Sequence, residues 1–160
     1  YNKQNIYNNI NIYTYKDFNT DNYNKYLKDL ETIPYTLLKN CKNIYFTNEN
    51  LTEKFDLNIK TKIVAISYGN DIYINTSYHG EDVLIHEMYH VFDYCNNWIS
   101  ETKEFKELYK KYNKEIEVSP GNINNEYEFF ATCGEIFSLN KEKINNKEIY
   151  TFFSNLNIQP

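Results

Sequence analysis

The chain has 160 residues, a formal charge of −5 and an aromatic content of 18%. A chain of this length fits one domain that buries roughly two-thirds of the surface exposed by its unfolded form. All seventeen basic residues are lysines scattered among acidic residues, which argues against a nucleic-acid or anionic-membrane partner. The longest aliphatic run, residues 63–66, is far too short to span a membrane. We therefore predict a single monomeric domain over residues 1–160 with no membrane insertion.

The first third of the chain predicts a strand region followed by two helices. Residues 1–20 alternate asparagine with isoleucine and tyrosine, which fits either an edge strand or a poorly ordered arm. Apolar side chains then recur at helical spacing and predict a helix over residues 21–31. Pro34 suits the first turn of a second, short helix.

Three strands are predicted next. Residues 43–47 form the first, and residues 62–68 and 71–76 form two more that are joined by Gly69 and Asn70. A Gly-Asn pair suits a tight hairpin turn. The stretch between the first and second of these strands is too irregular to assign.

The next segment carries the pattern His86-Glu87-Met88-Tyr89-His90. Apolar residues around it recur at helical spacing, so the segment is predicted to be a helix with one buried side. His86 and His90 then lie one turn apart on one face, where two neutral imidazoles can reach one metal ion. Glu87 is rotated by about 100° from His86, beside the metal, where a general base for hydrolysis belongs.

Two histidines at this spacing also occur by chance on helices. The chain has only three histidines, however, and two of them fall in this pattern with the glutamate in the required place. We interpret the motif as a zinc site, which usually needs a third protein ligand.

The remainder of the chain is predicted to be helical. Ser100 can cap a helix over residues 101–117, and Ser119-Pro120-Gly121 ends it. Residues 125–137 form the next helix, and a short helix over residues 147–153 closes the chain.

Glu128 is the predicted third ligand, because the apolar Phe129-Phe130 pair after it would fix the helix and aim its carboxylate inward. Asn125 and Glu128 also fit a capping box, in which Glu128 only bonds the helix start. Glu126 and Glu135 are rivals on the same helix. Asp93 either orients a histidine from behind or is a polar residue at the helix end.

The two motifs together resemble a known family. Residues 86–93 followed by residues 125–131 resemble the catalytic domain of anthrax lethal factor and its relatives, a family that includes the secreted Pro-Pro endopeptidases of Gram-positive bacteria. The resemblance covers roughly residues 72–137. It implies an α+β zincin-like fold, a secreted or cell-surface location, and a glutamate zinc ligand before the aromatic-Phe-Ala run, at Glu128.

The chain departs from that family at two places. The family usually has a bulky aromatic residue and then glycine before the second histidine, where this chain has Met88 and Tyr89. It also carries a tyrosine seven residues ahead of the ligand glutamate that stabilises the transition state, and Gly121 occupies that position here. The residues that could replace this tyrosine are Tyr127, Tyr112, Tyr68 and His79.

The site chemistry therefore predicts that His86, His90 and Glu128 hold Zn²⁺ and that Glu87 is the general base. The resemblance implies that the reaction is that of a zinc-dependent endopeptidase. Its small mixed or antiparallel sheet should pack on the motif helix and a helical C-terminal part. The strand at 71–76 either pairs with an extended peptide substrate or is an ordinary inner strand. The alternatives are an inactive zinc-bearing module that binds a protein partner and a hydrolase of small amides.

Overall fold

The structure is a computed structural model that describes residues 1–59, 62–118, 124–139 and 144–158. Five strands are described: β1 (Asn2–Tyr7), β2 (Ile10–Thr14), β3 (Asn43–Thr47), β4 (Ala65–Tyr68) and β5 (Asp71–Asn75). Seven α-helices are described in the same ranges: α1 (Thr20–Leu30), α2 (Tyr35–Leu38), α3 (Leu51–Lys54), α4 (Val83–Cys95), α5 (Lys103–Tyr112), α6 (Glu126–Leu139) and α7 (Lys147–Ser154). A 3-10 helix spans Ile99–Glu101.

The strands form one mixed sheet in the order β1-β2-β3-β5-β4. The central strands β2, β3 and β5 are parallel, and β1 and β4 pair antiparallel at the two ends. The predicted α+β class with a mixed sheet is therefore confirmed. Tight turns explain both hairpins, since Asn8 and Asn9 have φ of 46° and 67° and Gly69 has φ of 61°.

The two faces of the sheet differ in what covers them. Inward-facing residues of the central strands are fully buried in the hydrophobic core, as at Ile44 and Ile72. On the opposite face the parallel register aligns Tyr13, Tyr45 and Tyr73. Their rings stack with centroids 4.9 and 4.5 Å apart. Alternation along each strand therefore separates a helix-covered face from a tyrosine ladder.

Helix α4 lies in the middle of the core, in contact with α6, with β4 and β5, and with α1 and α2. The crossing with α6 is close because Gly134 leaves room for the ring of Tyr89. A Cβ built on Gly134 would lie 2.4 Å from Cδ1 of Tyr89. The Tyr89 hydroxyl is 2.6 Å from Ser138 Oγ, which fixes the ring in that space. Tyr89, a departure from the resembled family, is thus accommodated by a glycine on the neighbouring helix.

Several predicted elements need correction. Of the two interpretations of residues 1–20, the edge strand is confirmed and the arm is wrong, because these residues supply the β1–β2 hairpin, with β1 at the edge of the sheet, and the start of α1. The strand predicted to begin at residue 62 begins at Ala65. Of the two interpretations of the strand over 71–76, the ordinary inner strand is confirmed, because β5 lies between β3 and β4 and β4 forms that end of the sheet.

The predicted helix over residues 101–117 is shorter than expected. Thr102 caps it by accepting a hydrogen bond from the Phe105 N–H, and the helix ends at Tyr112. Ser100 does not cap it, because its N–H and hydroxyl both donate to the buried carboxylate of Asp93. The predicted break at Ser119-Pro120-Gly121 lies outside the described residues. Among the helices that the structure describes, none is long and apolar enough to cross a membrane.

Candidate metal centre and cleft

The motif residues of α4 are almost completely buried, and their polar groups face a cleft. Its apolar side chains Leu84, Met88 and Val91 are fully buried and hold the helix in the core. His86 and Glu87 are only 6% and 8% exposed, and their polar groups face a cleft. The apolar spacing that predicted the helix is therefore also what fixes the direction of its two histidines.

Helix α6 supplies the carboxylate. Asn125 caps its first turn by accepting a hydrogen bond from the Glu128 N–H at 2.9 Å. The following pair, Phe129 and Phe130, is fully buried, which fixes the helix in rotation. The Asn125 half of the predicted capping box is thus present at the Glu128 backbone. The Glu128 carboxylate itself extends to the histidines of α4.

The three predicted ligands come together. Oε2 of Glu128 lies 2.9 Å from Nε2 of His86, and Oε1 lies 3.0 Å from Nε2 of His90. One donor atom from each residue lies within 4.8 Å of the others. Donor atoms of a tetrahedral zinc site are about 3.4 Å apart, so a small adjustment opens this group to a metal ion. The group can hold a metal ion.

Glu135 contacts the same histidine from behind. Its Oε1 lies 2.7 Å from Nδ1 of His86, and both side chains are buried. A carboxylate at one ring nitrogen fixes the ring and leaves the other nitrogen for a metal. Glu135, a rival for the third ligand, thus holds His86 in orientation. Glu126 is not part of the donor group found among the described residues.

Asp93 does not take that orienting position. Its carboxylate is fully buried and accepts hydrogen bonds from the N–H and the hydroxyl of Ser100, at 2.9 and 2.6 Å. The Asp93 carbonyl also accepts a hydrogen bond from the Trp98 N–H at 2.8 Å. Of the two interpretations of Asp93, the polar residue at the helix end matches these contacts. It anchors the loop that follows α4.

Glu87 lies beside the donor group, on the β4 side. The Ser67 N–H of β4 donates to its carboxylate, and burial raises its pKa although His90 and His86 act in the opposite direction. A carboxylate with a raised pKa and access to a cleft is suited to accept a proton from water. The structure therefore gives Glu87 a position distinct from that of the three donors.

The electrostatics of the donor group favour positive charge between the side chains. Burial lowers the pKa of His86, but hydrogen bonds to Glu128 and Glu135 outweigh it and raise that pKa well above its usual value. Burial raises the pKa of Glu128, while the two histidines lower it strongly, and the histidines prevail. Such a carboxylate is ionised and ready to bind a cation.

The donor group opens into a cleft of about 1000 Å³. Residues 63–67, which include most of β4, line it together with residues 57–59 from the stretch that the sequence left unassigned. Tyr94, Trp98 and Tyr127 also line it. Tyr94 and Trp98 were not predicted as site residues from the sequence. A usable indication existed for Tyr94, which follows His90 by one helical turn on the same face.

The proposed replacements for the family tyrosine differ in position. Tyr127 lines the cleft, and its hydroxyl donates to Glu101, which raises its pKa to about 12 and keeps it protonated. Tyr112 donates to Glu148 on α7. His79 is 2.8 Å from Asp29 of α1. Tyr68, at the end of β4, is exposed and is not among the residues that line the cleft. Of the four candidates, Tyr127 is the cleft residue. Gly121 lies outside the described residues.

Fold and site together define an α+β protein with a His-His-Glu group that can hold a metal ion at the base of a cleft. Comparison of the sequence with models of known protein families gives no match. Comparison with curated protein sequences gives none either. The function therefore has to be argued from the geometry of the site.

Proposed function

We propose that this protein is a zinc-dependent endopeptidase of the zincin type. The observation that carries the proposal is the convergence of His86 Nε2, His90 Nε2 and the Glu128 carboxylate, with the separate carboxylate of Glu87 beside them. Two histidines and one glutamate that leave a further position open are a donor set of catalytic zinc. The resemblance to the lethal factor family supports the same assignment.

Each residue of the site has a task in peptide hydrolysis. Zinc held by the three donors would polarise the substrate carbonyl and lower the pKa of water. Glu87 takes a proton from the attacking water and passes it to the leaving amine. Glu135 holds the Nδ1 proton of His86, so that Nε2 keeps its lone pair for the metal. The Ser67 N–H keeps the Glu87 carboxylate in place.

The shape of the cleft supports a polymeric substrate. Strand β4 pairs on one side with β5, and residues 63–67 line the cleft, where an extended peptide can add to the sheet by main-chain hydrogen bonds. The substrate-pairing strand is thus β4 in place of the inner strand β5. A cleft of about 1000 Å³ holds several residues of such a peptide. By the same resemblance, we propose that the protein acts outside the cell or at its surface.

A diverse peptide library incubated with zinc-loaded protein tests this proposal, with cleavage products read by mass spectrometry. We expect cuts that disappear when the metal is chelated and return when zinc is added. An absence of cuts in a sample with zinc bound would contradict the proposal and favour a zinc-bearing module that binds a protein partner. Hydrolysis of small acyl amides without any cleavage of peptides would favour a small-amide hydrolase.

A further inference from the structure

Three aromatic side chains form a cluster in the cleft that the hydrolytic steps do not use. The ring centroids of Tyr94 and Trp98 are 5.5 Å apart, and those of Trp98 and Tyr127 are 5.3 Å apart. Tyr94 is 43% exposed and Trp98 is 37% exposed. Large ring surfaces left open in a cleft are a means of binding a side chain. We call these three residues the aromatic cluster.

Two residues of the aromatic cluster are close in sequence to residues of the metal-binding group. Tyr94 follows His90 by one turn of α4, and Tyr127 directly precedes Glu128 in α6. The Tyr94 ring also packs against Gly69 in the β4–β5 turn, 3.8 Å from where a Cβ would be. A side chain bound against this cluster therefore belongs to a residue close to the bond that is cleaved.

The loop that carries Trp98 is fixed before any ligand binds. Asn97 and Trp98 have left-handed φ values of 58° and 59°, which asparagine tolerates but tryptophan seldom adopts. The buried hydrogen bonds between Asp93 and Ser100 hold this conformation. Backbone strain held in this way is typical of functional positions. A loop that is already fixed also loses less conformational entropy when a ligand binds.

The charges around the aromatic cluster favour a cation. Five carboxylates line the cleft. Those of Glu87, Glu128 and Glu135 belong to the metal centre, and those of Asp82 and Glu101 lie outside it. Lys62 is the one lysine among the described lining residues. Glu101 contacts the aromatic cluster directly, since it accepts a hydrogen bond from the Tyr127 hydroxyl. Rings attract a cation through their faces, and a carboxylate adds a second attraction. An apolar occupant would gain neither of these attractions.

We propose that the aromatic cluster and Glu101 form a specificity subsite for a lysine or arginine side chain of the substrate, within two positions of the scissile bond. This subsite rests on the proposed peptidase function. Trp98 and Glu101 are its specificity-determining residues, with Tyr94 and Tyr127 as the flanking rings.

Trp98 is the sole tryptophan of the sequence, so its fluorescence reports directly on occupancy. The test titrates zinc-loaded Glu87→Gln protein, in which peptide is not consumed, with acetyl-Ala-Lys-Ala-amide and with its norleucine counterpart. We expect the lysine peptide to change the emission and to bind about tenfold more tightly than the norleucine peptide. Equal or tighter binding of the norleucine peptide would overturn the proposal, as would the absence of any emission change with either peptide.

The contribution of Glu101 is tested in the same assay with an added Glu101→Gln substitution. We expect the preference for lysine over norleucine to fall to about threefold or less, because only the ring faces then attract the cation. Glu107→Gln is the matched control, since Glu107 is an exposed acid of α5 outside the cleft. A lysine preference that is equal in the Glu101 and Glu107 variants would overturn the assignment of this subsite.

Cleavage by the wild-type protein separates this inference from the function on which it rests. In a peptide library we expect lysine and arginine to be enriched at one position within two residues of the cut. Cuts without that enrichment would overturn the subsite but leave the peptidase function standing. If no peptide is cut although zinc is bound, the peptidase function fails, and the fluorescence titration still decides whether the site takes a cationic side chain.

Discussion

At the scale of single residues, Glu128 in the first turn of α6 has two roles. The backbone N–H of Glu128 is bonded by the Asn125 cap, and its carboxylate meets His86 and His90. The motif on α4, the apolar pair after Glu128 and the family resemblance together favoured this grouping over the rivals Glu126 and Glu135. The orienting role of Glu135 could not be predicted, because it depends on how α4 and α6 cross.

Removing the Glu128 carboxylate should weaken metal binding. We expect Glu128→Ala to lower zinc affinity by more than about 100-fold, since a direct ligand is lost. Competition with a chromogenic chelator measures the affinity. Glu126→Ala is the matched control on the same helical turn and should bind zinc like the wild type. If both variants hold zinc equally well, Glu128 is not the third ligand.

Changing the carboxylate of Glu135, which orients His86, should also lower zinc affinity, but by less than the loss of Glu128. In Glu135→Gln the amide can still bond His86, but it no longer offers a charged acceptor to Nδ1. We expect zinc affinity to fall by about 10- to 100-fold, as for other carboxylates that support a metal-binding histidine. The chelator competition used for Glu128→Ala measures it. Unchanged affinity would show that His86 needs no such support.

At the scale of elements, the packing of α4 against α6 decides whether the donors meet. These helices make their close approach where the ring of Tyr89 fills the space over Gly134. The sequence predicted both helices and their apolar faces, but it did not show this contact, which joins residues far apart in the chain. It also placed the cap of α5 at Ser100, because serine and threonine serve equally as caps and only the fold reveals that Asp93 binds Ser100.

The contact between Gly134 and Tyr89 can be tested by adding one methyl group. Gly134→Ala should destabilise the protein by about 1–3 kcal/mol, because the new Cβ overlaps a buried ring. In a Tyr89→Ala background the same change should instead stabilise by up to about 1 kcal/mol, since alanine is the better helix former. Urea unfolding measures both differences. A neutral effect of Gly134→Ala in the wild-type background would contradict the close crossing.

The loop after α4 should depend on Asp93. Asp93→Ala leaves the buried Ser100 N–H and hydroxyl without their acceptor, and we expect a loss of stability of about 1–3 kcal/mol. Trp98 should become more mobile, which lowers its fluorescence anisotropy. Asp93→Asn keeps an acceptor oxygen and serves as the control, with a smaller change in both readouts. Unchanged anisotropy in Asp93→Ala would mean that other contacts hold the loop.

At the scale of the whole molecule, the positions of the strands in the chain could be predicted from the sequence better than their order in the sheet. The Gly69-Asn70 turn fixed the β4–β5 hairpin, yet both strands carry apolar and tyrosine residues, so their order in the sheet stayed open. Long-range parallel pairing with β3 placed β5 inside and left β4 to line the cleft. Trp98 and Glu101 joined the site only through this assembly, because no spacing rule links them to the motif.

The buried core spans residues from β2 to α7, so the fold should not need the metal. We expect the metal-free protein to unfold cooperatively, and zinc to stabilise it by mass action. At free zinc about 1000-fold above its dissociation constant, the gain is about 4 kcal/mol. Thermal unfolding with and without chelator measures this, with Glu128→Ala as a variant that should gain less. A metal-free chain that is unfolded at room temperature would contradict the expectation.

The central claim is hydrolysis by a metal centre with Glu87 as its base. The measurement that tests it most directly is the cleavage rate of one library-derived peptide by zinc-loaded wild type and zinc-loaded Glu87→Gln, with zinc content determined on the same samples. We predict about one zinc per chain in both proteins. We also predict a rate about 10²- to 10⁴-fold lower in the variant. A variant that retains zinc and cleaves within about threefold of the wild-type rate would contradict the account.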